Sequence, residues 1–376
     1  MIMIGSNDYL GLSHDPRVLE KTAESLARWG SGPGGSRFLS GNMTLHQVLE
    51  ERLARFVGKS KALVHTTGFS TNLGALGCLL NPKDVVLCDR ENHASIYEGC
   101  RASRARLMPF AHNDARSAAG KLASAHDRRP DACMFLTTEG VFSMSGDMVD
   151  LPGFVKLKRE FPGLYIYLDD AHGLGVLGRN GAGTSNHFGL TGDVDFIMGT
   201  FSKALASIGG FIASDHEDVI EYLRHHSRTM IFSAALPASN CATVLACLDV
   251  LENEPERIER LREISGIVRR GYQELGLSIG NSQTPIIPIR IGSEHKAYLF
   301  ATDLFNHGVF ALPAVYPAVP KGRAVIRTAY MSTHEQRHID YVLEVLDKLA
   351  RKHRIRAADL DCRETPLEDA VCGDRG

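Results

Sequence analysis

From about residue 45 to residue 250, short β-branched runs alternate with stretches whose apolar positions recur at helical spacing. Leu45, Val48, Leu49, Leu53, Phe56 and Val57 make one helical stripe, and Gly58 ends it. Thr44 and Gln47 stand three residues apart at its start, which predicts a capping box with Thr44 as the cap. Strands are predicted over 62–66, 85–89, 106–110, 132–137, 164–169, 196–200 and 210–213. Helical text lies between most of them, as at 114–125 and 153–160. The alternation predicts an α/β fold, a mostly parallel central sheet with helices on both faces.

After about residue 236 the pattern turns helical, over 238–252 and 255–275. Strands follow near 285–291 and 324–330. The text Thr333-His334-Glu335-Gln336 is then expected to cap a last helix with the stripe Ile339, Val342, Leu343 and Leu346. These segments predict a small C-terminal α+β domain over 251–355, after an N-terminal arm and large domain over 1–250. Residues 356–376 mix charge, Pro and Gly without an apolar period and are expected to form a flexible tail.

Composition narrows the function classes. At 376 residues and 44% hydrophobic content, the chain can bury a large core. A net charge of −2, with both signs mixed along the chain, argues against nucleic acid as a partner. No run approaches the roughly 20 apolar residues of a spanning helix, and the first residues lack the features of a secretory signal. The eight cysteines form no CxxC pair, and several sit in apolar text. Reduced thiols and a cytoplasmic location are expected.

On such sheets ligands bind beyond the carboxyl ends of the strands, so the residues that follow strands carry the interest. Lys203, in Gly199-Thr200-Phe201-Ser202-Lys203, follows a buried strand among small and hydroxyl residues. Desolvation there would make its amine a nucleophile toward an aldehyde, although a lone loop lysine is more often a surface residue. Asp169 ends a strand and suits a protonated pyridine nitrogen, which turns such a ring into an electron sink. His172, three residues on, suits the ring's phenolic oxygen. Alone, this pair serves equally well as a cap and a solvated histidine. A metal site needs a third ligand that the local text lacks, so no metal is expected.

Thr66-Thr67-Gly68-Phe69-Ser70 joins a strand to a helix, and the free N–H groups of such a start suit a phosphate. It also fits an ordinary turn. His93 follows another strand, where its flat ring suits stacking on a cofactor as well as a purely structural place. Arg327, inside a strand-like apolar run, has the fork for a substrate carboxylate; an edge-strand or interdomain ion pair is the alternative. One apparent fingerprint fails. Gly173-Leu174-Gly175-Val176-Leu177-Gly178 reads GxGxxG, but no helical stripe follows it, which argues against a nicotinamide dehydrogenase. The loop 30–37 lacks the ending of a P-loop and reads as a flexible or close-approach segment.

Taken in order, Ser6-Asn7-Asp8-Tyr9-Leu10-Gly11-Leu12, Gly34-Gly35-Ser36-Arg37, Glu139-Gly140-Val141-Phe142-Ser143-Met144, Asp169-Asp170-Ala171-His172 and Gly199-Thr200-Phe201-Ser202-Lys203 resemble the α-oxoamine synthases. The likeness runs to about residue 345. It implies a fold-type I, aspartate aminotransferase-like transferase that uses pyridoxal 5'-phosphate. In the family's pattern Lys203 matches the lysine that binds the cofactor covalently, Asp169 the pyridinium partner, His172 the ligand of the ring oxygen and His93 the stacking histidine. Gly68 and Phe69 match the backbone phosphate cradle, Thr200 a hydroxyl phosphate ligand and Ser143 a serine at the cofactor. Ser233 matches a phosphate contact from a neighbouring subunit, which implies a homodimer with shared sites. Arg327 matches the arginine for the amino-acid carboxylate, assisted by Asn7.

Within the family, the segments 170–176, 181–184, 200–207 and 317–320 look most like bacterial serine palmitoyltransferases. That likeness implies L-serine and palmitoyl-CoA as substrates and 3-ketosphinganine, CO2 and CoA as products, with room for peripheral membrane contact. An 8-amino-7-oxononanoate synthase, joining L-alanine to a pimeloyl thioester, is the nearest rival. A catalytically dead partner subunit is a rival of another class, which the presence of Lys203 opposes.

Overall fold

A computed structural model describes residues 1–360. Twelve strands are named here in chain order: β1 Ile2–Met3, β2 Lys61–His65, β3 Val85–Asp89, β4 Arg106–Phe110, β5 Met134–Glu139, β6 Leu164–Asp169, β7 Phe196–Thr200, β8 Gly210–Ser214, β9 Ile286–Gly292, β10 Val309–Phe310, β11 Leu312–Ala314 and β12 Ala324–Ala329. Seven of them form the large sheet, in the order β2-β8-β7-β6-β5-β3-β4. The pairs β3–β4, β3–β5, β5–β6 and β6–β7 are parallel, and β8 runs antiparallel to both its neighbours. The expected α/β architecture, mostly parallel with a smaller α+β region after it, is what the chain forms.

The sheet's residues explain why both faces are covered. Leu87, Leu136 and Ile166 belong to one apolar cluster, and the alternating Val86, Phe135 and Tyr167 belong to another. Side chains on successive strand residues point to opposite faces. A strand that is apolar at every position therefore needs helices on both sides, the arrangement typical of buried parallel sheets.

A separate cluster surrounds the antiparallel sheet β11-β12-β9. Ile287, Ile289, Ile326, Phe300, Ile339, Val342 and Leu346 fill it. The helix Glu256–Glu274 bridges the two bodies, giving Ile258 and Leu261 to the large core and Ile264, Val268 and Tyr272 to the small one. The N-terminal arm also joins the small body: β1 pairs with β10, and Ile4 lies in the small core. The first residues of the predicted tail are tied down, since Ala357 N–H donates to the Gly276 carbonyl at 2.8 Å. Residues 361–376 of that tail lie outside the described residues.

The first predicted cap is displaced by one residue, and the second falls within the predicted text. The helix Thr44–Val57 is capped by Met43, and His46 Nδ1, in place of Gln47, accepts the Met43 N–H at 3.0 Å. The last helix, Gln336–His353, is capped by Glu335, whose N–H donates to His338 Nδ1 at 3.1 Å. In each case a histidine at the third helical position replaces the usual Glu or Gln of the reciprocal motif, and in the first helix the familiar letters misplace the start by one residue. The end of the first helix is as expected: Gly58 adopts φ 72° and receives the helix in the left-handed region.

Candidate active site

The carboxyl ends of β2, β3, β5, β6 and β7 converge on one cavity of ≈ 300 Å³. Of the candidates from the sequence, Gly68, Phe69, His93, Asp169, His172, Thr200 and Lys203 all line it. Thr67, Asn72, Ser95, Glu139 and Ser202 line it with them.

Asp169 ends β6, and both its oxygens are engaged. Asn72 Nδ2 donates to Oδ2 at 2.7 Å and the Ala171 N–H to Oδ1 at 3.0 Å. Asn72 also donates to Ser95 Oγ at 2.9 Å and accepts from the Tyr167 hydroxyl at 2.8 Å. This buried network fixes the position of the carboxylate. Sequence reasoning missed Asn72, although it lies four residues after Gly68 in the helix Gly68–Leu79 and so on the same face.

The start of that helix has the free donors a phosphate needs. Ser70 N–H bonds the Thr67 hydroxyl and Thr71 N–H the Thr67 carbonyl. The Gly68 and Phe69 N–H groups have no hydrogen-bond partner among the described residues. Thr200 Oγ1 lies 3.0 Å from Ser202 Oγ, which places two hydroxyls beside them. Gly68 is required here by closeness: a Cβ at that position would stand 2.8 Å from Thr200 Oγ1.

Lys203 follows β7 by three residues, and burial holds its amine below the ordinary lysine value, against the pull of Asp169 and Glu139. Burial, reinforced by the positive charges of Lys203 and Arg327, keeps His172 well below the usual imidazole range, so the ring is neutral. Glu139 was expected only as part of a motif. It is paired in register with Asp169 on the adjacent strand, and its Oε1 is buried without a hydrogen-bond partner. Burial first, and the Asp169 charge next, raise its carboxyl well above the ordinary value. Adjacent carboxylates do not both ionise readily, so Glu139 keeps the proton.

His93 has a structural place and also reaches the cavity. It lines the cavity edge-on to Phe69, with ring centroids 6.4 Å apart, and it caps the helix Ala94–Ser103 through Nδ1 and Ser95. Arg327, Asn7 and Ser143 stand outside the cavity lining but form one unit. Arg327 Nε donates to the Ser143 carbonyl at 2.6 Å and Nη2 to Asn7 Oδ1 at 2.9 Å. β12 is the central strand of its sheet, and no ion pair holds Arg327 among the described residues, so neither structural alternative for it is realised. Tyr9 joins this unit to the cavity, its hydroxyl lying 2.7 Å from His172 Nδ1 and 3.3 Å from Asn7 Oδ1. Ser233 is half-buried and does not line the cavity.

The glycine-rich decoy has its own explanation. Thr184 donates its N–H and hydroxyl to the two oxygens of Asp170, at 2.6 and 2.5 Å. A Cβ at Gly140, Gly173 or Gly183 would stand 2.3, 2.0 or 2.1 Å from those oxygens. These glycines let the chain close around a buried carboxylate, and only a single 3-10 turn, Arg179–Gly181, directly follows 173–178 in place of an α-helix. No cluster of His, Cys, Asp and Glu suited to a metal occurs among the described residues.

The residues present fit pyridoxal phosphate. The cavity offers an amine, a locked carboxylate, a neutral imidazole, and unpaired N–H groups beside hydroxyls for a phosphate. The comparisons agree. The family model for aminotransferase class I and II matches residues 1–346. A serine palmitoyltransferase of Bacteriovorax stolpii is 47% identical over 92% of this chain and 81% of its own length. An 8-amino-7-oxononanoate synthase of Thermoanaerobacter pseudethanolicus is 38% identical, over 94% and 89%. Among solved structures, a serine palmitoyltransferase from S. paucimobilis with bound PLP–myriocin superposes with TM-score 0.90 at 31% identity, covering 94% of this chain and 88% of that one.

Proposed function

This chain belongs to the aminotransferase class I and II family, and we propose that it is a pyridoxal-phosphate-dependent serine palmitoyltransferase. It condenses L-serine with palmitoyl-CoA to give 3-ketosphinganine, CO2 and CoA. One observation carries this reading: a desolvated Lys203 amine, the locked Asp169 carboxylate and neutral His172 share one cavity, with Arg327 tied to it through Tyr9. The choice of member rests on the higher identity to the serine palmitoyltransferase, 47% against 38% for the 8-amino-7-oxononanoate synthase.

When bound, the cofactor supplies an electron sink for a carbanion at the amino acid's Cα. The protein's residues do the rest. Asp169, held by Asn72 and Ala171, keeps a proton on the ring nitrogen. Gly68, Phe69, Thr200 and Ser202 hold the phosphate at the helix start. His93, which lines the cavity, would stack on the cofactor ring, and Ser143 would contact the cofactor from the loop after β5. The Arg327 fork, steadied by Asn7 and the Ser143 carbonyl, takes the serine carboxylate. The Lys203 amine, uncharged at lower cost because of its burial, removes the Cα proton. Ser233 completes the phosphate site of a neighbouring subunit in a homodimer. No described helix is long and apolar enough to cross a membrane. The enzyme works in the cytoplasm and meets membranes peripherally, where long-chain thioesters gather.

The test uses the purified protein with pyridoxal phosphate. A visible absorption band that borohydride abolishes is expected, and L-serine should perturb it more than L-alanine or glycine. Incubation with serine and palmitoyl-CoA should yield the mass of 3-ketosphinganine. Turnover of L-alanine with a pimeloyl thioester, and none with serine and palmitoyl-CoA, would replace this reading with the rival.

A further inference from the structure

Tyr9 is buried, with 1% of its surface exposed, and it stands on the side of His172 away from the cavity's open ring nitrogen. The two rings meet edge-on at 62°, with centroids 6.2 Å apart. His172 Nε2 has no hydrogen-bond partner among the described residues, and the residue lines the cavity.

A phenol has one proton to give, and two acceptors compete for it here. The contact to His172 Nδ1, at 2.7 Å, has the length of a full hydrogen bond, whereas 3.3 Å to Asn7 Oδ1 is long for a hydroxyl donor. Asn7 Oδ1 is moreover already used by Arg327 Nη2 at 2.9 Å. The Tyr9 proton therefore goes to Nδ1. A neutral imidazole carries a single N–H, and a ring that accepts at Nδ1 carries it on Nε2.

We infer that Tyr9 is a positioning residue that fixes His172 as the Nε2–H tautomer, so that the ring presents a donor to the cofactor's phenolic oxygen. The opposite tautomer would set a lone pair against an oxygen that is itself an acceptor. The same hydroxyl lies 3.3 Å from Asn7 Oδ1, the oxygen that accepts from Arg327 Nη2, so Tyr9 stands between the cofactor contact and the carboxylate site. The inference deepens the proposed function and rests on it for the identity of the oxygen. The tautomer itself is a property of the chain alone.

Protein labelled with heavy nitrogen in its histidines tests this directly, with His172→Gln used to identify the His172 signals. In the unsubstituted protein, cofactor-free and cofactor-loaded, the proton is expected on Nε2. In Tyr9→Phe the His172 nitrogen shifts should move toward a mixture of tautomers. Turnover should fall roughly ten- to hundredfold, the range for losing the partner behind a ligating histidine. A proton on Nδ1 in the unsubstituted protein overturns the inference even if the variant does not fold. So do unmoved His172 shifts in a folded Tyr9→Phe protein. Absence of a visible band on adding pyridoxal phosphate instead sinks the cofactor reading and leaves the tautomer result standing.

Discussion

Two histidines in this molecule sit in opposite kinds of surroundings. His172, in the cavity, faces a hydroxyl on one side and the charges of Lys203 and Arg327 nearby, and burial keeps it neutral. His112 lies between two carboxylates, 3.0 Å from Asp89 Oδ1 and 3.0 Å from Asp147 Oδ2, with the Phe142 ring edge-on at 4.3 Å. Burial pulls it down as well, but its hydrogen bonds to Asp147 and Asp89 prevail and raise it to about 10. The His112 region spends its polar groups on one another and ties the loop after β4 to the end of β3 and to the loop after β5. The cavity holds polar groups in reserve: an amine below its usual value, a protonated Glu139 and an open imidazole nitrogen. That difference separates a structural cluster from a reactive one better than residue type does.

The largest effect that sharpens the contrast comes from Lys203→Ala. Turnover should be lost altogether, because no other amine lines the cavity. Stability should behave otherwise. A lysine whose folded value is depressed costs stability wherever its unfolded form is protonated, that is, below the ordinary lysine value of 10.5. The cofactor-free variant should therefore melt at the same temperature as the parent or higher near neutral pH. Scanning calorimetry alongside the condensation assay checks both parts, and a marked fall in melting temperature would place Lys203 in the structural class.

His112→Gln should give the converse result. Removing a charged partner from two carboxylates costs roughly 1–3 kcal/mol, while the turnover of the folded protein stays close to that of the parent. The pH dependence has a definite sign. The folded value lies above the ordinary 6.5, so the stabilisation is complete below about 6.5 and fades as pH rises through about 10. Denaturant midpoints for parent and variant should therefore converge across that window. Curves that stay parallel would remove the ion-pair explanation.

Much of this contrast was hidden in the sequence, for a physical reason. Strand ends were legible: β3, β4, β6 and β7 fall where the apolar runs end, and residues soon after β3, β6 and β7 reach the cavity. Groups whose meaning depends on a distant partner were not. Tyr9 acquires a role only because the fold brings His172, 163 positions away, to within 2.7 Å. Nothing in the run around His112 distinguishes it from His93, and the carboxylates that decide its charge arrive from positions 89 and 147. The first helix cap was misplaced by one residue because histidine can stand in for Glu or Gln as the reciprocal acceptor, a substitution that common capping signatures omit.

The smallest expected effect is also the most discriminating, since it concerns a carboxyl inside the cavity. Glu139 and Asp169 occupy matched positions on neighbouring parallel strands, which lie about 4.8 Å apart. Asn72 and Ala171 donate to Asp169, whereas Glu139 Oε1 has no hydrogen-bond partner and burial raises its carboxyl, so Glu139 keeps its proton. Glutamine copies a protonated glutamate in shape and in having a donor. Glu139→Gln should accordingly keep turnover within a few-fold of the parent. Its stability should improve relative to the parent as pH rises. An acid held protonated in the fold loses stability once its unfolded form ionises, above the ordinary value of 4.5, and the amide has no such loss. Melting temperatures between about pH 5 and 8 should diverge in the variant's favour. Equal slopes with a collapse of turnover would mean that Glu139 works as a carboxylate and does not hold its proton.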